Sequence, residues 1–416
     1  MDSRIDLQQP VLDGGIRSIN FFNGRLLSAR DLTREQTAYR EADRRLSQAV
    51  GDGIAYGLEV SKTPGASNAS PAVSVAAGLA INRRGQTLML AANTDVALVR
   101  SPEGNGGADS FSDCLPLQTG AYVAGAGAYL LTLAPAQSTE GRATTNGMNP
   151  AGSCNTDTIV TAVQFRLIQI DPPITDAELQ DQNHLRNLIA YKCFGWSETN
   201  DFIKDPFGTE VNQWGLLDSL RPNQLTDCEV PLAVLYWTQN DGIKFVDMWS
   251  VRRRISVPGY SSSWSSLIQD RRLAEAEAMF LQFQAQLDTL RFTTNNPDQT
   301  RLVDQCRYVP AAGFVPLAQD NFTEGFHPDL FFDTLTLHTD VYIEGARVEQ
   351  LLRASFNYPP VDLQAPDGPV MLWIYKVREN RQADGVQPYF IFSSGHMPYL
   401  ADPHFDVNRW EYSNYP

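Results

Sequence analysis

The sequence predicts an α+β, β-rich fold: antiparallel sheets, an N-terminal helix, and a central coiled-coil-like helix joining to a C-terminal β-rich domain. Three observations predict it. Alternating apolar stretches bounded by Gly, Pro and Asn recur along most of the chain, as half-buried strands require. Two long segments, 29–50 and 265–290, instead space their apolar residues by three, four and seven, as helices do. Composition is ordinary for a globular protein, 43% hydrophobic and 19% charged over 416 residues, which is long enough for two or three cores.

Taking the elements in order, a helix begins near Ala29, because Ser28 and Asp31 stand at the spacing of a capping box. Leu32, Tyr39 and Leu46 recur every seven residues with Ala42 and Ala49 between them. Arg30, Arg34, Glu35, Arg40, Glu41, Asp43, Arg44 and Arg45 take the other faces, so a narrow apolar stripe is expected to pack beneath a salted surface. Gly51 and Gly53 stop the helix, and Gly57 precedes Leu58-Glu59-Val60, the opening of a strand. Val73, Val75, Leu79 and Ile81 alternate, Arg84-Gly85 reads as a turn, and Leu88 and Leu90 lead back.

The middle of the chain reads as loops on a β scaffold. Ser101–Gly120 and Pro135–Asp157 are rich in Gly, Ser, Asn and Thr and enclose one apolar strand, Ala128–Leu133. Val160–Ile170 alternates as another, ended by Asp171-Pro172-Pro173. Thr175 and Glu178 form a second capping box, predicting a helix to about Tyr191. Leu232–Val251 holds two apolar strands around Asp241-Gly242, a tight hairpin. Pro258-Gly259 and Ser261–Ser263 then read as a linker.

Beyond the linker, Leu273, Ala276, Phe280, Phe283, Leu287 and Leu290 form a helical seam over about three heptads. Such a seam serves either self-association or a groove in its own domain. The remainder is aromatic-rich, with strands at Val370–Val377 and Tyr389–Phe392 and a short helix at Arg347–Phe356. The predicted division is 1–100 (helix plus β-hairpin), 101–257 (β-rich, one helix), 258–292 (linker and long helix) and 293–416 (C-terminal β domain).

Charge and motif content narrow the chemistry. A net charge of −15 opposes nucleic-acid binding, which depends on cationic side chains displacing counterions. No stretch of eighteen apolar residues occurs, so no membrane insertion is expected, and MDSRIDLQQP lacks the pattern of a signal peptide, which points to synthesis in the cytoplasm and to export only as part of something larger. Neither a phosphate loop, a GxSxG elbow nor an HExxH pair is present, so the sequence predicts no enzyme and no cofactor. Two clusters carry metal-type ligands: His396, Asp402, His404 and Asp406, and His327, Asp329, Asp333, His338 and Asp340. Turn-forming Asp and surface His explain the same letters, and no metal is expected. The five cysteines, 114, 154, 193, 228 and 306, include no CxxC; Cys114 and Cys154, flanking a Gly-rich region, are the pair a single disulfide would join.

The phrases FFNGRLLSARDLTREQ, GIAYGLEV and VSVAAGLAINRRGQTL, together with PLAVLYWTQNDGIKFVDMWSVRRR and YVPAAGFVPL, resemble a largely uncharacterised family associated with contractile phage tails and extracellular contractile injection systems. The resemblance runs through most of the chain in islands, and none of its motifs is catalytic. It implies a structural component of a tail-like particle, in or around the baseplate and present in several copies. Its partners would be other baseplate and tail proteins and copies of itself, and its place the assembled particle, extracellular after release.

Under that reading Phe21, Phe22, Arg25, Leu26, Asp31, Glu35, Gln36 and Tyr39 dock the N-terminal unit, and Leu273, Phe280, Phe283 and Leu287 supply a second seam. Cap and core roles explain several of the same residues. An alternative from another class is a receptor- or carbohydrate-binding tail module with Trp373 and Trp410 as contacts, beside Tyr375, Tyr399 and Tyr412. A tail-associated hydrolase is a third, without a motif of its own.

Overall fold

The structure, a computed structural model, describes residues 12–66, 71–98, 125–141, 157–172, 174–175, 178–179, 181, 183–205, 215–221, 223–255, 270–294, 296–319, 322–333, 335–364 and 371–394. The fold is α+β and β-rich, with several antiparallel sheets.

Helix α1 (Ala29–Val50) is followed by six short strands: β1 (Gly53–Gly57), β2 (Val60–Lys62), β3 (Ala72–Val75), β4 (Gly78–Ile81), β5 (Thr87–Leu90) and β6 (Thr94–Ala97). They form two three-stranded antiparallel sheets, ordered β1-β4-β5 and β2-β3-β6. Arg84-Gly85 is the tip of the β4–β5 hairpin, as expected, with Gly85 at φ 77°. Between β1 and β2 the chain turns through two successive left-handed residues, Gly57 at φ 64° and Leu58 at φ 60°. A Cβ on Gly57 would lie 1.9 Å from the Ala77 carbonyl oxygen, so only glycine fits. Leu58 bears this strained conformation while fully buried in the core.

The central layer is a four-stranded antiparallel sheet ordered β10-β9-β7-β8, from β7 (Gly127–Glu140), β8 (Thr158–Ile170), β9 (Val230–Thr238) and β10 (Gly242–Asp247). From Ala128 to Pro135 every residue of β7 is buried, because both faces of this sheet are covered. Tyr129, Leu131 and Leu133 join Leu58, Val73, Val75 and Leu88 in one core, while Ala128 and Leu130 face helix α2 (Leu185–Phe194) through Leu185, Ile189 and Cys193. The first core therefore draws on both sides of residue 100, where the sequence reading placed a boundary. β7 also runs seven residues past the expected Leu133. Beyond Leu133, which pairs with Val230, it keeps β8 as its one neighbour, so Pro135 costs little.

The helix predicted from Thr175 to about Tyr191 is split in two: Glu178 and Leu179 are helical directly after the capping box, and α2 begins at Leu185 after a turn. The box itself forms, with Thr175 N–H donating to Glu178 Oε2 at 2.8 Å, but Glu178 also receives Arg307 at 2.6 Å and ties this turn to the C-terminal region. Helix α3 (Trp196–Lys204) follows after Gly195.

Helix α4 (Asp270–Thr293) bridges the middle and C-terminal regions. Its first half meets α2 and Trp196 through Met279, and its second half meets the C-terminal sheet, Phe283 lying 5.6 Å ring to ring from Phe392. That sheet is ordered β12-β16-β15-β13, from β12 (Ala312–Pro316), β13 (Thr336–Ile343), β15 (Met371–Val377) and β16 (Tyr389–Ser393); β11 (Tyr308–Val309) pairs with β14 (Val361–Asp362). β13 and β15 run parallel, a departure from the all-antiparallel expectation. The short helix α5 (Val348–Ser355) lies between them, and a parallel pair requires such a crossover.

Two expectations for this half are corrected. Phe283 and Leu287 are buried within the chain, and Phe280 packs on Phe314 and Phe356 at 5.8 and 5.6 Å, so these three serve the chain's own core, while Leu273 at the start of the seam is half-buried. The buried face is also wider than that seam, taking in Glu275, Gln282 and Gln286. Gln282 donates to Gln286, which donates to the Gln305 carbonyl, so these polar groups are satisfied where they are buried. Tyr375 is fully buried, which removes it from the expected glycan surface, and Trp373 is half-buried against His338 at 4.0 Å. Trp410, Tyr399 and Tyr412 lie outside the described residues, as does the linker at 258–263.

Candidate assembly surface

The N-terminal helix is built with care at its start. Ser28 is the N-cap in extended conformation, its Oγ accepting from Asp31 N–H while Ser28 N–H donates to Asp31 Oδ2 at 3.0 Å. Arg25 donates to Asp31 Oδ1 at 2.8 Å and to the Asn20 carbonyl at 2.8 Å, and its guanidinium lies over the Phe22 ring. The Ser28 hydroxyl and amide, then Arg25, hold the Asp31 carboxyl down at about 2. Glu41 is likewise lowered, first by its hydrogen bond from Arg45.

What holds α1 to the rest of the molecule is polar. Glu35 accepts from Ile19 N–H at 2.8 Å, Arg45 donates to the Gly14 carbonyl, and Gln48 donates to the Arg84 carbonyl at the β4–β5 tip. A Cβ at Gly85 would sit 2.4 Å from the Arg44 carbonyl oxygen, so the hairpin tip reaches the helix backbone because it is glycine. Of the 22 residues of α1, Ala38 is the buried one.

The apolar stripe therefore faces outward, which reverses the sequence expectation. Leu32 is 53% exposed, Tyr39 66% and Leu46 67%, with Val50 on the same face one turn on. Phe21, Phe22 and Leu27 are exposed too, and Leu26 is 94% exposed, ruling out a core role for it. The reason is local: segment 12–19 and the hairpin tip offer backbone carbonyls and amides, which the Arg and Glu faces of the helix satisfy. Nothing apolar is offered to the stripe by the described residues. Of the expected docking residues, Phe21, Phe22, Leu26, Gln36 and Tyr39 are exposed, while Arg25, Asp31 and Glu35 are half-buried in the cap and in the tether to Ile19. Leu46 and Val50 extend this surface beyond the residues singled out from the sequence, and the seven-residue spacing of Leu46 from Tyr39 was their available signal.

The sequence islands meet at the joints of the molecule. Arg252 donates to the Leu58 carbonyl at 3.1 Å, beside Gly57, and Ile54 N–H donates to the Arg253 carbonyl at 2.8 Å. A Cβ at Gly53 would lie 2.5 Å from the Arg254 carbonyl oxygen. The Arg253 guanidinium, lowered by desolvation, donates to the carbonyls of Ser250 and Cys193, and Arg254 reaches Glu277 of α4 at 2.8 Å. The three arginines thus clamp the first sheet, α2 and α4. At the next joint Asn187 of α2 is buried and engaged at both ends of its amide, its Oδ1 accepting from Arg307 and Tyr308 N–H and its Nδ2 donating to the Tyr308 carbonyl. Tyr191 stacks on Tyr308 with centroids 3.6 Å apart, and His184 bridges Asp181 and the Val303 carbonyl.

Neither metal cluster is assembled among the described residues, where no three His, Cys, Asp or Glu side chains converge. Asp333 is held by Arg301 at 2.8 Å, and His338 packs at a tilt on Trp373. The cluster at 396–406 and the Cys114–Cys154 pair lie outside the described residues. Cys228, unpaired in the sequence reading, is disulfide-bonded. Cys193 and Cys306 are free thiols, each pushed up to about 12 by complete burial. No helix among the described residues is long and apolar enough to cross a membrane.

Comparison with known proteins finds no family model that matches this sequence, and no curated protein that matches it.

Proposed function

We propose that the chain is a structural component of a contractile tail-like particle, placed in or around its baseplate in several copies, and that the outer face of α1 is where a neighbouring subunit docks. The observation that carries the reading is the stripe Leu32, Tyr39, Leu46 and Val50, left in solvent on a helix whose cap and tethers are fully made. A helix in a globular protein normally owes its stability to a packed apolar face, and each large side chain brought out of water contributes about 1.5–3 kcal/mol. A partner that covers α1 supplies that missing term. The sequence islands supply the particle context, and the extensive joints between the sheets suit a part that must keep its shape while its neighbours press on it.

The test is light scattering of the purified chain, alone and mixed with the sheath, tube and baseplate proteins encoded beside it. A defined assembly that is lost in a Tyr39→Asp, Leu46→Asp double variant supports the proposal. A monomer indifferent to all of those proteins contradicts it.

A further inference from the structure

A second unassigned surface lies at the far end of the bridging helix. There the last turn of α4, residues Asn296 to Asp298, Ala318 with Gln319, and Phe322 to Glu324 line an open cleft of about 1110 Å³. Two aromatic rings line it, Phe292 and Phe322, and Phe292 is 63% exposed. Arg291, held in place by the Glu324 carbonyl at 2.7 Å and Gln387 at 3.2 Å, lies over the Phe292 ring at 5.1 Å and fixes its position. The rest of the lining is polar: Asn296, Asp298, Gln319, Thr323 and His327 among others, with Pro297 and Ala318 the aliphatic residues.

Among the described residues the side chains of Asn296, Gln319, Thr323 and His327 make no hydrogen bond, whereas elsewhere the structure uses its polar groups heavily, as Asn187 and Gln286 show. A flat exposed ring set among uncommitted amides, a hydroxyl and carboxylates is the chemistry that recognises a pyranose. The sugar's axial C–H face lies on the aromatic face, and its hydroxyls, each both donor and acceptor, meet amides and carboxylates. The charges present select further. Asp298 and Glu324 outweigh Arg291, which is already engaged, so an anionic ligand is disfavoured. The near absence of aliphatic lining disfavours an apolar peptide side chain.

We infer that this cleft, and not the aromatic strand residues of the C-terminal sheet, is a binding site for an uncharged oligosaccharide. It stands apart from the α1 surface and holds whether or not that surface assembles. The size suits two or three hexose units, larger than a single-sugar pocket and within reach of both rings.

The experiment is isothermal titration of the full chain with cellotriose, maltotriose and triacetylchitotriose, with sialyllactose as the charged counterpart. At least one uncharged trisaccharide is expected to saturate. Replacing Phe292 by Ala should weaken it about tenfold, which corresponds to the loss of one stacking contact. Asp298→Asn should weaken it severalfold, and Trp373→Phe should leave it unchanged. Because Phe292 is exposed, its replacement leaves the core intact, and circular dichroism of the variant checks this. Absence of saturation by all three neutral sugars overturns the inference, as does binding that survives Phe292→Ala or that is confined to sialyllactose.

Discussion

Helices α1 and α4 have nearly the same length, 22 and 24 residues, and both carry apolar residues at heptad spacing, yet the molecule uses them in opposite ways. In α4 the seam is spent inside: Ala276, Met279, Phe283 and Leu287 are buried, and even Gln282 and Gln286 are drawn in and satisfied. In α1 the salted faces are turned inward onto backbone groups of segment 12–19 and the hairpin tip, and the stripe is left outside. Periodicity states which side chains share a face. Whether the same chain covers that face depends on what the fold brings opposite, and that is settled by distant residues such as Phe314 and Phe392 for α4 and by none of the described residues for α1.

The comparison can be broken by mutation. The largest effect is expected at Phe283→Ala, which opens a cavity where α4 meets the C-terminal sheet and should cost about 3–5 kcal/mol in urea unfolding. If that variant is as stable as the parent, α4 is not the internal strut described. Asn187→Ala should come next, on the order of 2–3 kcal/mol, since it strands backbone groups of Arg307 and Tyr308 at the joint beside α4. A loss much below 1 kcal/mol in the same assay would mean that water replaces the amide there.

Acid sharpens the contrast at the other helix. The folded-state Asp31 carboxyl is depressed from the ordinary 3.8 to about 2, so its contribution is complete above the unfolded value and is lost as pH falls toward 2. Helical ellipticity assigned to α1, followed by a label at the exposed Leu46 position, should fall in that window. It should fall less steeply in Ser28→Ala, Arg25→Ala, where the depression is removed. A variant with the same acid profile as the parent would show that the cap does not hold the helix. The smallest effect on stability is expected on the stripe itself: Leu46→Asp and Tyr39→Asp should each change unfolding by less than about 0.5 kcal/mol, because both side chains are already in water.

Much of the fold was legible because its signals are local. The capping box at Ser28, the Arg84-Gly85 turn, the Asp241-Gly242 hairpin and the short helix after Arg347 each depend on a few adjacent residues, and each forms where expected. The parallel pairing of β13 with β15, the left-handed Leu58 and the Asn187 joint were not legible, since each is set by a partner far away in the chain. For the candidate surfaces, the residues before and on α1 were readable as a group, but not their exposure. The cleft at Phe292 was invisible, because its lining comes from three separate segments with no common pattern.

The most direct test of the outward-facing stripe uses a cysteine introduced at Leu46, labelled with an environment-sensitive fluorophore, in the isolated chain and in a mixture with the tail proteins proposed as its partners. Among the described residues the free thiols, Cys193 and Cys306, are buried and each pushed up to about 12, and the parent chain labelled in parallel supplies the background from the other native cysteines. A water-exposed spectrum in the isolated chain that shifts to the blue on mixing is the predicted result. A label already shielded in the isolated chain, or one that stays in water in an assembly that has plainly formed, would contradict the account.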